Sequence, residues 1–504
     1  MAAQTQTRPP LRQTGIAFWM NRSLEELEKA SASLSADPVH DLRVSLRRCR
    51  SIAEGFQAID PLPAWRKMRK AGKEIFSPLG ELRDTQVLLE WVEKLGKSGD
   101  AVTEAILAFL RAREQEQKGS LAGVLARFDR KQWQQWSQVL SLRARHIPIA
   151  GLVFEYQALE RWEAAHALHR QALRNRSQTA FHQLRIGLKK LRYLVENFLP
   201  SHHQRWGSDL KELQDLLGEV HDLDVLWHTA LASGIFADGG TRAEWRAHIL
   251  EERGRRIDAY RRKMVGPSSL WPKWRAELPQ GPNLQKAVIA HFEVMIRLEG
   301  IDVNQARRVA RTALLLYDGL AKRGLLPQIG GEATPLPPAA RIGFSSRTPR
   351  LLLHAAGLLH AISRAKKDKA YQKASARIIE ELTVPVGWDH SDLQVVAEAV
   401  RYHRGDLPAE DDKGLRLLPP ERRQLACELA AILRLSEALN RSHLTGPLKI
   451  ETTVETIRLF IRGYPALGAD GEKIATAKFF LESIINRPIV ITGEDVASAL
   501  GGSN

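Results

Sequence analysis

The chain has 504 residues and only two cysteines, Cys49 and Cys427. So few exclude a disulfide framework and a cysteine-based zinc site, and they suit a reducing compartment. Aromatic residues make up 7% of the sequence, and few alternate with the basic clusters described below. That argues against the stacking platforms that usually grip single-stranded nucleic acid. The most hydrophobic stretch, "LLLHAAGLLHAI", falls well short of the roughly 18–20 apolar residues that span a bilayer. The opening "MAAQTQTRPPLRQTG" carries no apolar run of signal-peptide type. A cytoplasmic protein with no membrane partner is therefore expected. No P-loop and no Ser, Cys or Asp nucleophile with a matching base is discernible.

Acid is also in deficit: 58 Asp and Glu face 74 Lys and Arg, a formal net charge of +16. Such a surplus favours a polyanionic partner, whether nucleic acid, an anionic surface or polyphosphate. The cations are sorted. In "FHQLRIGLKKLRYLVENF", from Phe181 to Phe198, Leu184, Leu188, Leu191, Val195 and Phe198 share one apolar sector at about 100° per residue. His182, Arg185, Lys189 and Arg192 form a separate row beside it, with no acid inside the row. Ordinary solvated faces mix signs.

The pattern occurs twice. "VHDLRVSLRRCRSIAEGF" pairs His40 with His182, Arg43 with Arg185, Arg47 with Lys189, Arg48 with Lys190 and Arg50 with Arg192. Cys49 falls on the apolar side and is expected to pack. A second pair of segments follows, "LGELRDTQVL" from Leu79 and "LGEVHDLDVL" from Leu217. Each reads as a helix end at Gly80 or Gly218, with Asp84 or Asp222 capping the next helix. Between the markers, Arg66, Arg69, Lys70 and Lys73 form another basic stripe, of which the second copy keeps only Lys211. The repeat unit, roughly 140 residues, is too long for a solenoid and suits a duplicated helical bundle. "HDLDVLWH" sets His221 and His228 two turns apart, a poor start for tetrahedral zinc.

Two such rows would line a shared groove if the bundles pack face to face. Arginine forks fit phosphate oxygens in pairs and lysine acts as a point charge. Duplex DNA would call for a helix that aims side chains at base edges, and none stands out.

In this combination the motifs resemble the CHAD domain, over about residues 12–265 with repeats near 12–150 and 155–265. The resemblance implies a mainly α fold of tandem antiparallel four-helix bundles around a basic channel, and binding of inorganic polyphosphate. Carried over by position, the ligand-binding residues are His40, Arg43, Arg47, Arg50, His182, Arg185, Lys189 and Arg192. Arg48, Lys190, Arg66, Arg69, Lys70, Lys73 and Lys211 are helpers.

A Pro- and Gly-rich break, "VGPSSLWPKWRAELPQGPN", reads as a linker at 266–283. Beyond it, "VNQARRVARTALLLYDGL", "VVAEAVRYHRG" and "CELAAILRLSEALNRSH" resemble the helical C-terminal domain of exopolyphosphatase/guanosine-pentaphosphate phosphatases, a relative of HD-type metal phosphohydrolases. The expected layout is an HD-like domain at 284–445 and a small strand-helix-strand element at 446–493, with an irregular stretch "LLPQIGGEATPLPPAARIGF" between two helices. An HD centre needs a lone histidine, a His-Asp dyad and a later aspartate. Here Gln305 stands at the first place, Ala361 follows His360, and Glu437 takes the last. No metal, no cofactor and no catalytic residue are therefore expected. Arg401, His403, Arg404 and Arg434 are candidate secondary phosphate contacts or simply packing residues.

These readings lead to a non-catalytic polyphosphate-binding protein, associated with polyphosphate granules, with nucleic acid as a competitor and a homodimer through the C-terminal domain. The alternatives are a metal-dependent phosphohydrolase of polyphosphate or guanosine polyphosphates, and a nucleic-acid-binding protein.

Overall fold

The computed structural model describes residues 15–97, 99–236, 238–326, 348–364, 370–409, 411–441, 449–452, 456–461, 464 and 468–493. Among them are eighteen helices and one three-stranded sheet, so the protein is mainly α. The chain divides into two compact units with the boundary between Pro279 and Gln280.

The first unit is built twice. α1 (Ile16–Ala32), α2 (Ala36–Gln57), α3 (Pro63–Leu95) and α4 (Ala101–Ala126) pack in succession, and α5 (Arg130–Ala144) folds back on α1 and α3. α6 (Leu152–Asn175), α7 (Gln178–Phe198), α8 (Pro200–Ala232) and α9 (Gly239–Met264) repeat that bundle, with α10 (Leu270–Glu277) against α6 and α9. The corresponding helices α3 and α8 are both 33 residues long, and α4 and α9 both 26. The halves join where α2 packs on α7 and α3 on α8.

The α2–α7 seam positions the site. Gly55 allows it: a Cβ there would come within 2.3 Å of the Phe198 ring. Phe198 stacks on Phe154 at 4.1 Å between ring centres and meets Phe56 edge-on at 5.2 Å. Phe56 in turn stacks on Trp65 at 5.1 Å. Aromatic pairs of this kind add about 0.5–1.5 kcal/mol each beyond the area they bury. Cys49 is fully buried in α2.

Two expectations are corrected. Gly80 and Gly218 do not end helices, and Asp84 and Asp222 do not cap new ones; α3 and α8 run straight through both. A mid-helix glycine costs only about 1 kcal/mol against alanine, which burial of the neighbouring Leu79, Leu82, Leu217 and Val220 offsets. The next helices begin later, capped by Asp100 on Thr103 N–H and by Asp238 on Thr241 N–H. The second correction lies in the supposed break after Val265, which contains α10. Its Pro272 sits in the first turn, where a missing N–H leaves nothing unpaired. Trp271 and Trp274 bury that helix against Trp162 and Trp206.

The second unit comprises α11 (Gly281–Leu298), α12 (Val303–Ala321), α13 (Pro349–Leu359), α14 (Tyr371–Glu380), α15 (His390–Tyr402), α16 (Lys413–Arg416) and α17 (Pro420–Arg441). α12, α13, α15 and α17 pack together around the apolar sides of α13 and α17. β1 (Lys449–Thr452) pairs antiparallel with β2 (Ile457–Phe460), and β2 pairs parallel with β3 (Ile489–Thr492). α18 (Ala469–Ile485) makes the crossover and packs on α17. The irregular stretch expected at 325–344 lies, from 327 onward, outside the described residues.

Candidate functional site

The two rows of cations come together where α2 crosses α7. The Tyr193 ring of α7 shows it most clearly. Arg47 of α2 reaches it at 5.7 Å from the ring centre, and Lys189 and Arg192 of α7 each at 5.8 Å. Three cations from two helices thus share one aromatic face or edge. Lys189 feels the crowding: burial, then Arg185, Arg47, Arg43 and Arg50, push its ammonium down to about 8. Three of those four arginines belong to the other repeat.

Neighbouring packing fixes the row on α2. Arg43 donates from Nη1 to the Leu79 carbonyl at 2.6 Å, and a Cβ on Gly80 would lie 3.5 Å from the same nitrogen. That distance is ordinary van der Waals contact, so Arg43 packs on α3 without requiring a glycine at this position. Phe76 supports Arg50 at 4.6 Å and Arg43 at 5.5 Å. Burial lowers both guanidinium pKa values, with Arg47 and Arg83 also acting on Arg43 and Arg69 on Arg50. The buried Nε atoms of Arg50, Arg185 and Arg192 have no acceptor among the described residues. Arg43, Arg47, Arg50, Arg185, Lys189 and Arg192 likewise form no ion pair among the described residues. These six side chains are half-buried, and gathering charge of one sign with so few acceptors carries an electrostatic cost.

The helpers divide. Arg48 leaves the row, pairing with Glu196 and donating to Asn197 at 3.2 Å over the Trp19 ring. Arg69 bonds Gln57 at 2.7 Å and lies 3.5 Å from Glu54. Arg66, Lys70, Lys73, Lys190 and Lys211 are exposed, and so is His40, which the resemblance places in the row itself.

Two neighbours of the rows escape a search by row periodicity. His221 on α8 places its Nδ1 3.3 Å from Nδ1 of His182. Beside it, Asp222 has its carboxyl raised to about 6 by burial, with Asp84 and Glu219 reinforcing and Arg185 and Arg83 opposing. Asp84 and Asp222 occupy equivalent places in the two copies and sense one another across the α3–α8 contact. The paired "LGE" segments were the signal for both. His228 bonds Gln178 at 3.2 Å.

In the second unit, Gln305 and His360 line one cavity of about 180 Å³ with Asp302 and Arg364. Glu437 is engaged: Tyr371 donates to it at 2.7 Å, Arg441 approaches at 2.7 Å, and His403 Nε2 lies 3.7 Å away. Burial works to raise its carboxyl, yet His403, His360, Arg441 and Tyr371 hold it at about 2. His360 and His403 each direct Nδ1 to a helix carbonyl, of Gly357 and Val400. Among the described residues, no group of three or more His, Cys, Asp and Glu is placed to hold a metal ion. The four secondary candidates do not form one anion site. His403 is buried against Glu437, Arg404 lies over Tyr371 at 5.5 Å, Arg434 donates to the Gly405 carbonyl, and Arg401 sits near Glu398 and Asp412.

Two family models match the chain: the CHAD domain over residues 20–231, and the Ppx/GppA phosphatase domain III over residues 292–459. No curated protein matches. A crystal structure of the CHAD domain from the plant Ricinus communis matches at 20% identity and a TM-score of 0.39, covering 49% of this chain and 88% of the plant one. No helix among the described residues is long and apolar enough to cross a membrane.

Proposed function

We propose that this chain, a CHAD domain joined to a Ppx/GppA phosphatase domain III, binds inorganic polyphosphate in the groove between α2 and α7, and that its second unit is non-catalytic. The two domain matches support a polyphosphate-related role. The observation that carries binding is the single cluster of Arg43, Arg47, Arg50, Arg185, Lys189 and Arg192, drawn from both repeats and forming no ion pair among the described residues. A linear chain with a charge on each phosphate supplies acceptors to successive helix turns, and bidentate arginine contacts reward close-spaced oxygens. The aromatic rings beside the rows (Trp19, Phe76 and Tyr193) already carry cations, so they back the guanidinium groups and do not offer platforms for bases. That favours polyphosphate over single-stranded nucleic acid.

The test is a titration with size-fractionated polyphosphate beside RNA and duplex DNA at physiological salt. Polyphosphate should win at much lower phosphate concentration, and its affinity should fall steeply with salt as counterions are released. Replacing Arg43, Arg47, Arg185 and Lys189 together by alanine should cost at least ~100-fold in affinity, since charged hydrogen bonds contribute about 1.5–3 kcal/mol each. Helicity should be retained. Unchanged affinity in that variant refutes the site.

A hydrolase reading draws on one observation, the cavity shared by Gln305 and His360. Release of orthophosphate with Mg²⁺ or Mn²⁺, lost on His360→Ala, would favour it. Its donor set is weak, because Glu437 is already committed to Tyr371 and Arg441.

A further inference from the structure

The two repeats differ at the site in one consistent way. Aligned through their "LGE" segments, Arg83 of the first copy corresponds to His221 of the second; aligned through the rows, Arg47 corresponds to Lys189. At these two places the first copy presents a guanidinium, whose charge is permanent, and the second a group that can lose its charge, while Arg43 and Arg50 are matched by Arg185 and Arg192. His221 is also in contact. Its ring lies 4.8 Å from that of His182, with the two Nδ1 atoms facing at 3.3 Å. Facing nitrogens at that distance share one hydrogen, so the pair accommodates a single extra proton, on a far nitrogen, without losing the contact.

The surroundings are charged on every side. Arg185 and Lys189 come from α7, Asp222 and Glu219 from α8, and Asp84 and Arg83 from α3. Arg43, Arg47 and Arg50 of α2 lie beyond Lys189. On α9, Arg253 and Arg256 are committed to Asp224 and Glu219 at 2.8 and 2.7 Å. α6 brings the apolar Ala165 and Leu168 against Gly187. Burial, reinforced by the cations, disfavours the charged pair in the free protein: burial first, then Arg185, His182 and Lys189, push His221 down to about 4, and burial, then Arg185, lowers His182.

We propose that His221 is a further ligand-responsive residue of the groove, and that the His182–His221 pair takes up a proton when the polyanion enters. An incoming row of phosphates reverses the local field, and an opposite charge favours the protonated ring. The second half then gains the charge that Arg83 provides permanently in the first. By linkage, affinity must rise as pH falls. The inference rests on the polyphosphate reading above.

Isothermal titration of the full chain with fractionated long-chain polyphosphate tests it, at about pH 7 in two buffers of different ionisation enthalpy. The wild type should take up roughly one proton or a large fraction of one per bound site, and should bind several-fold tighter at pH 6.5 than at pH 7.5. His221→Arg should bind at least as well, with most of that uptake lost and a shallower pH profile, the remainder coming from Asp222 and Lys189. His182→Gln, checked for fold by circular dichroism, should also lose uptake. Uptake that persists undiminished in His221→Arg, or that vanishes in Asp222→Asn instead, overturns the assignment. Binding with no buffer-dependent heat sinks this inference alone, whereas absence of binding at every pH sinks the polyphosphate reading with it.

Discussion

Replacing Lys189 by methionine removes the charge at the point of closest crowding while keeping a side chain of similar length. Burial, Arg185 and the three α2 arginines lower this ammonium from 10.5 to about 8. At about 1.36 kcal/mol per pKa unit, that is roughly 3 kcal/mol by which the folded chain disfavours the charge. Below pH 8 both folded and unfolded chains hold the proton, so the folded state bears the whole cost. As pH rises through 8 the folded chain releases it, while the unfolded lysine keeps its own until about 10.5; stability therefore rises with pH across this window. Lys189→Met should accordingly be more stable than wild type at pH 7, by up to ~3 kcal/mol, or several degrees in midpoint. The gain should shrink steadily between pH 8 and pH 10. Polyphosphate should reverse the order, raising the wild-type midpoint more, because ligand stabilises in proportion to affinity. Thermal unfolding followed by circular dichroism, with and without polyphosphate, reads both effects. A variant that is less stable than wild type by the same amount at pH 7 and pH 10 would refute the convergence of the rows.

Other consequences follow from the same contacts. Gly55→Ala puts a Cβ within 2.3 Å of Phe198; overpacking of this kind costs about 1–3 kcal/mol, and denaturant unfolding should show it together with weakened polyphosphate binding. Asp60 is buried, accepting from Trp65 at 2.8 Å and pairing with Arg143 at 2.9 Å. Asp60→Ala should cost about 3 kcal/mol by removing the ion pair to Arg143 and the acceptor of the Trp65 indole N–H, again read by denaturant unfolding. Asp222→Asn removes a carboxylate from the groove and should tighten polyphosphate binding at pH 8, with a smaller effect near pH 5, where the native carboxyl is already protonated. Equal effects at both values would contradict the placement of Asp222 beside the ligand.

The helical architecture was legible because its signal is local. The apolar sectors of α2 and α7 repeat at helical spacing, and the duplicated segments reveal two copies of one bundle. Gly80 and Gly218 misled because a glycine often marks a helix end, yet a single one costs a long helix only about 1 kcal/mol, and α3 and α8 continue through both. α10 was hidden by Pro272, harmless in a first turn. The crowding around Tyr193 and the His182–His221 contact are tertiary, made by helices far apart in sequence, and row periodicity does not encode them. In the second unit, His403 of "RYHRG" reads as a phosphate contact or a packing residue; it lies buried, 3.7 Å from Glu437.

Polyphosphate binding, as proposed, uses one site to which both repeats contribute. The number of short polyphosphate chains bound per protein, compared between Arg47→Ala and Lys189→Ala, tests this most directly. A single binding isotherm, weakened by either substitution, is the predicted result. Two independent isotherms, each sensitive to only one of the two changes, would contradict it.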